Sequence, residues 1–179
     1  MSAPLSWETL DWTALDRLRE GFLQRHGADG SYWNSRDDLA NYDFTYAQRI
    51  GWKWDAVLQE LRRRGWTPPP GPMLDWGCGS GIAARRVLDT FGAAPCRTLR
   101  IFDRSPLAMD YAATRAAERF PGLRVETWDP TTALAAEAED GPGTLVISHV
   151  LNELDEAGGK ALRAVIDRAA AVLDRKSTR

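Results

Sequence analysis

The sequence predicts an α/β fold, with a parallel sheet covered by helices and a helical extension in front of it. Three observations lead there. Strand-like apolar runs alternate with helical patterns beyond residue 70, a glycine-rich turn follows the first of those runs, and residues 1–70 hold no strand-like run. Alternation of this kind makes neighbouring strands parallel, because each crossover between them is a helix lying on one face of the sheet.

In the extension, rich in tryptophan and charge, Ala47, Ile50, Trp54, Val57, Leu58 and Leu61 fall at helical spacing and form one apolar stripe. Arg62, Arg63 and Arg64 place positive charge at the negative end of that helix, and Gly65 supplies a C-terminal stop. The arginines are read as a helix end in preference to an RNA contact. Thr67–Pro68–Pro69–Pro70–Gly71–Pro72 cannot continue a helix and reads as a stiff linker. It divides a helical extension, 1–70, from a core, 71–179.

Strand one of the core ends at Asp75. The next helix begins near Ser80, a suitable N-cap, and buries Ala84, Val87, Leu88 and Phe91. Strand two runs from Thr98 to Phe102, followed by Asp103 and a helix from near Ser105 to before Pro121. Strand three is Leu123 to Thr127 and strand four Thr144 to Ser148. A long helix then carries Leu162, Val165, Ile166, Ala169 and Leu173 on one stripe. This count gives four strands, so the core is expected to be truncated after the fourth. That strand would be an edge although Leu145, Val146 and Ile147 read as covered on both faces. A fragment, a short variant and completion by another chain all fit this reading.

At 179 residues the chain suits one domain with a sizeable core. A net charge of −2 and a pI near 5.7 argue against retention on nucleic acid by a general positive field, so DNA is not expected as a partner, while a local basic patch stays open. Cys78 and Cys96 make neither a C-x-x-C pair nor a disulfide framework, which suits a reducing compartment; no metal set is assigned. Apolar runs are short and Glu8 and Asp11 come early, so neither a membrane span nor a leader is read, and a cytoplasmic location is expected.

The chemistry gathers at Asp75-x-Gly77-x-Gly79-x-Gly81. Glycine lets the chain turn sharply from strand to helix and lets a ligand approach bare backbone, as in Rossmann-like nucleotide sites. A dinucleotide fingerprint would need glycine where the chain has Ile82, and no phosphate-loop lysine follows. Asp103 stands 22 positions after Gly81, near the spacing at which a carboxylate accepts hydrogen bonds from ribose hydroxyls. The alternative is an aspartate that caps the Ser105 helix.

The pattern acid-x-Gly-x-Gly-x-Gly resembles the first motif of class I S-adenosylmethionine-dependent methyltransferases. That resemblance implies S-adenosylmethionine as cofactor, with Asp75, Gly77, Cys78, Gly79 and Gly81 around its methionine half and Asp103 on its ribose. It implies an adenine contact for Asp129, with Trp128 covering the ring and Arg104 flanking it; helix entry and solvation are the alternatives for these three. After strand four, His149 and Asn152 lie where a methyl group would leave and are candidates for the substrate side, the histidine as base or orienting group. The Asn/Asp-Pro-Pro-aromatic motif of adenine-type N-methyltransferases does not occur there.

Tyr42–Asp43, Arg49–Ile50–Gly51–Trp52–Lys53–Trp54, Asp103–Arg104–Ser105–Pro106 and Ser148–His149–Val150–Leu151–Asn152–Glu153–Leu154 together resemble the ribosomal small-subunit methyltransferase-like proteins of bacteria and mitochondria, over residues 32–155. This resemblance implies the ribosomal small subunit or its RNA as partner. A non-catalytic ribosome assembly factor that keeps the fold and a small-molecule methyltransferase remain as alternatives. Longer members carry a cysteine cluster for an iron–sulfur centre beyond the segment matched here, and none is assigned to this chain.

Overall fold

The computed structural model describes residues 5–24, 32–130, 141–151 and 154–175. Five strands, β1 (Met73–Trp76), β2 (Thr98–Phe102), β3 (Arg124–Thr127), β4 (Thr144–Ser148) and β5 (Ala171–Arg175), form one parallel sheet in the order β3-β2-β1-β4-β5. The helices are α1 (Trp12–Gln24), α2 (Arg36–Phe44), α3 (Tyr46–Arg63), α4 (Ile82–Phe91), α5 (Pro106–Arg119) and α6 (Glu156–Ile166). A short 3-10 turn, Trp7–Thr9, precedes α1.

Side chains alternate across β1, so each face of the sheet receives its own layer. Met73 joins Leu99, Ile101 and Val146 against α3, α4 and α5, through Trp54, Leu58, Val87, Leu88 and Ala116. Leu74 and Trp76 join Leu145 and Ile147 on the opposite face, closed by Leu162 and Val165 of α6. Asp75 is on the same face as Met73, and this puts a carboxyl group beneath α4. Helix α3 lies before the proline segment in sequence, yet it shares one buried cluster with β1 and α4. The proline segment itself is tied to neighbouring loops, with the Gly71 N–H donating to the Pro95 carbonyl at 3.2 Å and the Gly143 N–H to that of Pro72 at 2.9 Å.

The α/β class and the parallel sheet agree with the sequence reading; the strand count does not. The stripe read as one long helix breaks at Ile166, and Leu173 belongs to β5, which pairs along the whole of β4. Strand β4 is therefore an interior strand, as its unbroken apolar run requires. Ile166 and Val57, both assigned to buried stripes, are exposed. The N-cap of α4 is Gly81, at φ 78°, and not Ser80, whose hydroxyl is buried without a hydrogen bond. At the end of α3 the expectation fits: Gly65 takes φ 77°, its N–H reaches the Arg62 carbonyl at 3.0 Å, and the Trp66 N–H reaches that of Leu61 at 3.0 Å. These two bonds make a Schellman closure.

Candidate functional site

The chain order reverses at β1, which has β2 on one side and β4 on the other. In open α/β sheets the crevice for a ligand lies outside the carboxyl ends of strands at such a switch. The glycine turn stands at that point. The Gly77 and Cys78 N–H groups both donate to the Phe102 carbonyl, at 2.8 and 3.0 Å, and the Gly81 N–H closes the turn on the Cys78 carbonyl at 2.7 Å. The first pair of bonds brings the end of β2, and with it Asp103, against the turn.

Asp103 is half-buried and its carboxylate reaches the turn. Its Oδ2 accepts from the Gly79 N–H at 2.9 Å and its Oδ1 from the Ser105 N–H at 2.9 Å. The α5 cap is supplied by the Ser105 hydroxyl, which accepts from the Ala108 N–H at 3.3 Å, so Asp103 is released from direct capping. A carboxylate has about four acceptor sites, so beyond its backbone donors Asp103 keeps acceptor capacity for a ligand donor. Burial pushes the Asp103 carboxyl above its ordinary pKa, and the Ser105 and Gly79 N–H groups, with the charge and N–H of Arg104, offset part of that rise.

The three glycines do different work. A Cβ on Gly77 would come within 2.4 Å of Val150, and one on Gly81 within 3.0 Å of the Ala112 Cβ, so both positions are packed against neighbours. Gly79, at φ 50°, has nothing within 4 Å of the same position and presents open backbone. Cys78 is buried and reduced, and burial holds its thiol well above the ordinary pKa, so it acts as a small packing residue.

Asp75 corrects an expectation. It is 0% exposed, with both oxygens lacking a hydrogen bond of good geometry, so it lies under the turn, out of direct reach of a ligand in the crevice. Burial lifts its carboxyl to about 7, reinforced by the charge of Asp103; the Ala84 N–H in the first turn of α4 and the charge of Arg85 offset part of this. Arg104 pairs with Asp155, the N-cap of α6, at 3.5 Å. It therefore links the segment after β2 to the helix after β4. Trp128 is half-buried, its ring 5.8 Å from Trp76 and 6.3 Å from Phe102, and Asp129 beside it is exposed.

His149 directly follows β4 at φ 62°, a left-handed conformation that costs a non-glycine residue of order 1–3 kcal/mol and tends to persist where a site requires it. The preceding Ser148 accepts a hydrogen bond on Oγ from the Trp54 indole at 3.1 Å, which fixes α3 to the carboxyl end of β4. Asn152 lies outside the described residues. Among those described, no group of three or more His, Cys, Asp or Glu is placed to hold a metal ion, and no helix is long and apolar enough to cross a membrane.

Sequence reasoning missed a buried network behind the turn. Arg85 of α4 donates from Nη2 to Asp43 Oδ1 of α2 at 2.5 Å, and from Nε and Nη2 to the carbonyls of Gly81 and Ser80 at 3.3 and 3.4 Å. Tyr111 and Arg115 of α5 approach the other oxygen of Asp43 at 3.4 and 3.7 Å. The signal in the sequence was an arginine within the apolar first turn after the glycines.

No family model matches the chain, and neither does any curated protein. Solved structures do match. The CurJ carbon methyltransferase is similar with a TM-score of 0.58 and 14% identity, over 89% of this chain and 44% of that one. The plantazolicin methyltransferase BpumL in complex with SAH gives 0.50 and 16%, over 88% and 58%. Magnesium protoporphyrin IX methyltransferase (ChlM) from Synechocystis PCC 6803 with bound SAM gives 0.49 and 18%, over 94% and 74%. The fold is thus the Rossmann-like α/β fold of class I methyltransferases, and this chain spans about half the length of CurJ and BpumL.

Proposed function

We propose that the protein binds S-adenosylmethionine at the β1–β2 edge and is a methyltransferase acting on RNA, in the first place that of the ribosomal small subunit. The observation that carries the cofactor reading is the Asp103 carboxylate bonded to the Gly79 N–H, at a glycine where a Cβ would meet nothing within 4 Å. An open, side-chain-free approach next to a carboxylate that keeps acceptor capacity suits an adenosine with ribose hydroxyls. The N–H groups of Ile82 and Ala83, which have no intrahelical partner, suit the cofactor carboxylate. Solved structures of this fold with bound SAM and SAH support the same reading.

Bound S-adenosylmethionine supplies a methyl group already activated on a sulfonium. The residues of this chain then have to hold an acceptor in line with it and keep water out, which favours positioning over acid–base chemistry. His149, which follows β4 in a left-handed conformation, is our candidate for orienting an acceptor.

The RNA reading rests on α3. Trp52 is 65% exposed and lies between Arg49 and Lys53, also exposed, on a helix whose buried side reaches Ser148 through Trp54. An exposed aromatic ring flanked by cations is the pairing that stacks a base and neutralises its phosphates. The 65% exposure of Trp52 is the reverse of what a closed apolar pocket for a small acceptor would give that ring. The test is transfer of labelled methyl from S-adenosylmethionine to small-subunit RNA. Label in RNA supports the reading. SAH binding without transfer to RNA refutes it and favours an assembly factor that keeps the cofactor, and label appearing only in small metabolites favours a small-molecule acceptor.

A further inference from the structure

We infer that the helical extension sets the shape of the cofactor turn through the buried pair Asp43–Arg85, so that docking of α2 and cofactor binding are coupled. The inference rests on the cofactor reading above and adds positioning residues to it.

Asp43 and Arg85 are 5% and 6% exposed, and each is engaged on more than one side. The guanidinium takes the Asp43 carboxylate on Nη2 and the two carbonyls that end the glycine turn, those of Ser80 and Gly81. The Gly81 carbonyl also receives the first helical bond of α4, from the Arg85 N–H at 3.2 Å. A trans peptide is planar, so fixing the Gly81 carbonyl fixes the direction of the Ile82 N–H on the other side of that unit. This N–H is among the free donors that begin α4. The turn is held from the far side as well, since Gly81 packs against Ala112 of α5 and Tyr111 of the same helix reaches Asp43.

Asp43 holds the arginine in register. Without its partner, a buried guanidinium is left with an uncompensated charge and will turn toward another acceptor. One acceptor whose charge Arg85 already feels, Asp75, lies directly under the cofactor turn. Loss of Asp43 therefore redirects Arg85 toward the turn it now braces, and the effect reaches the ligand. The sequence separation is 42 residues, so the extension and the turn are joined by contact and not by chain continuity.

The experiment compares the whole chain with Asp43→Asn and with the apolar pair Asp43→Leu plus Arg85→Met, a replacement that often leaves a fold as stable as the buried ion pair did. SAH affinity is measured by calorimetry and amide exchange over residues 36–44 with and without SAH. The expected result is about a tenfold loss of SAH affinity in both variants, within the roughly 5–150-fold range of coupled sites, and protection of 36–44 by SAH that appears in the parent and fades in the variants. A purely structural role would lower thermal stability and leave both readouts unchanged in the folded protein, which would overturn the inference. If Asp43→Asn does not fold, the apolar pair decides alone. A parent chain that does not bind SAH defeats the cofactor reading and this inference with it, whereas a parent that binds and variants that bind equally well defeat only the coupling.

Discussion

Replacing Asp75 by asparagine should shift the stability of the protein relative to the parent in the variant's favour as pH rises between about 4 and 7. The carboxyl is fully buried and moves from an ordinary 3.8 to about 7. At about 1.4 kcal/mol per decade, this shift makes the ionised form cost the native state on the order of 4 kcal/mol. Below 3.8 both folded and unfolded chains hold the proton and Asp75 contributes no pH dependence. Between 3.8 and 7 the folded chain keeps a proton that the unfolded chain has released, so stability falls as pH rises. Above 7 the full cost is present. Asparagine stays neutral throughout and brings a constant penalty of about 1–3 kcal/mol for a buried amide without partners. Urea unfolding of parent and variant from pH 4 to 8.5 reads the difference directly, and the parent curve cancels the other carboxylates. The gap should move in favour of asparagine by a few kcal/mol across the window and level off above it. A gap that is flat, or that moves toward the parent, would show that Asp75 is ionised at little cost and that the burial argument is wrong.

Among the glycines, Gly77→Ala should destabilise most, because its methyl meets Val150, with Gly81→Ala next against Ala112. Gly79→Ala should lose only the conformational cost of about 1–2 kcal/mol while weakening SAH binding, and thermal melts beside calorimetry test that ranking. Trp54→Phe removes the bond to Ser148 and should cost about 1 kcal/mol of stability by urea titration, since the ring stays buried. The double variant Arg49→Glu with Lys53→Glu should keep the melting temperature, as both groups are exposed, and should lower the salt dependence of RNA binding by about 1.4 in log–log slope. Fluorescence anisotropy with a single-stranded RNA oligomer reads that slope, and an unchanged slope removes α3 as the contact face.

The α/β class, the placement of β1, β2 and β4 and the alignment of Asp103 with the glycine turn were legible in the sequence, because each rests on local spacing. Strand β5 was not. Leu162, Val165, Ile166, Ala169 and Leu173 keep helical spacing across the real end of α6, and only pairing with β4 turns the last of them into strand. Local pattern cannot report that competition. The same limit hid the fate of Asp75, whose motif position is visible while its burial depends on α4 lying above it. The pair Asp43–Arg85 was out of reach for the same reason, since no spacing rule links residues that far apart. Ser80 misled as an N-cap because the turn needs a left-handed residue at that point, and Gly81 supplies it.

The central claim is that the Asp103 carboxylate and the open Gly79 backbone together hold the adenosyl half of the cofactor. Calorimetric titration of the parent chain and Asp103→Ala with S-adenosylhomocysteine tests it most directly. The account predicts saturable one-to-one binding by the parent and a loss of tenfold or more in the variant, about 1.4 kcal/mol per factor of ten. Equal affinity in the two proteins, or no heat with the parent, would contradict it.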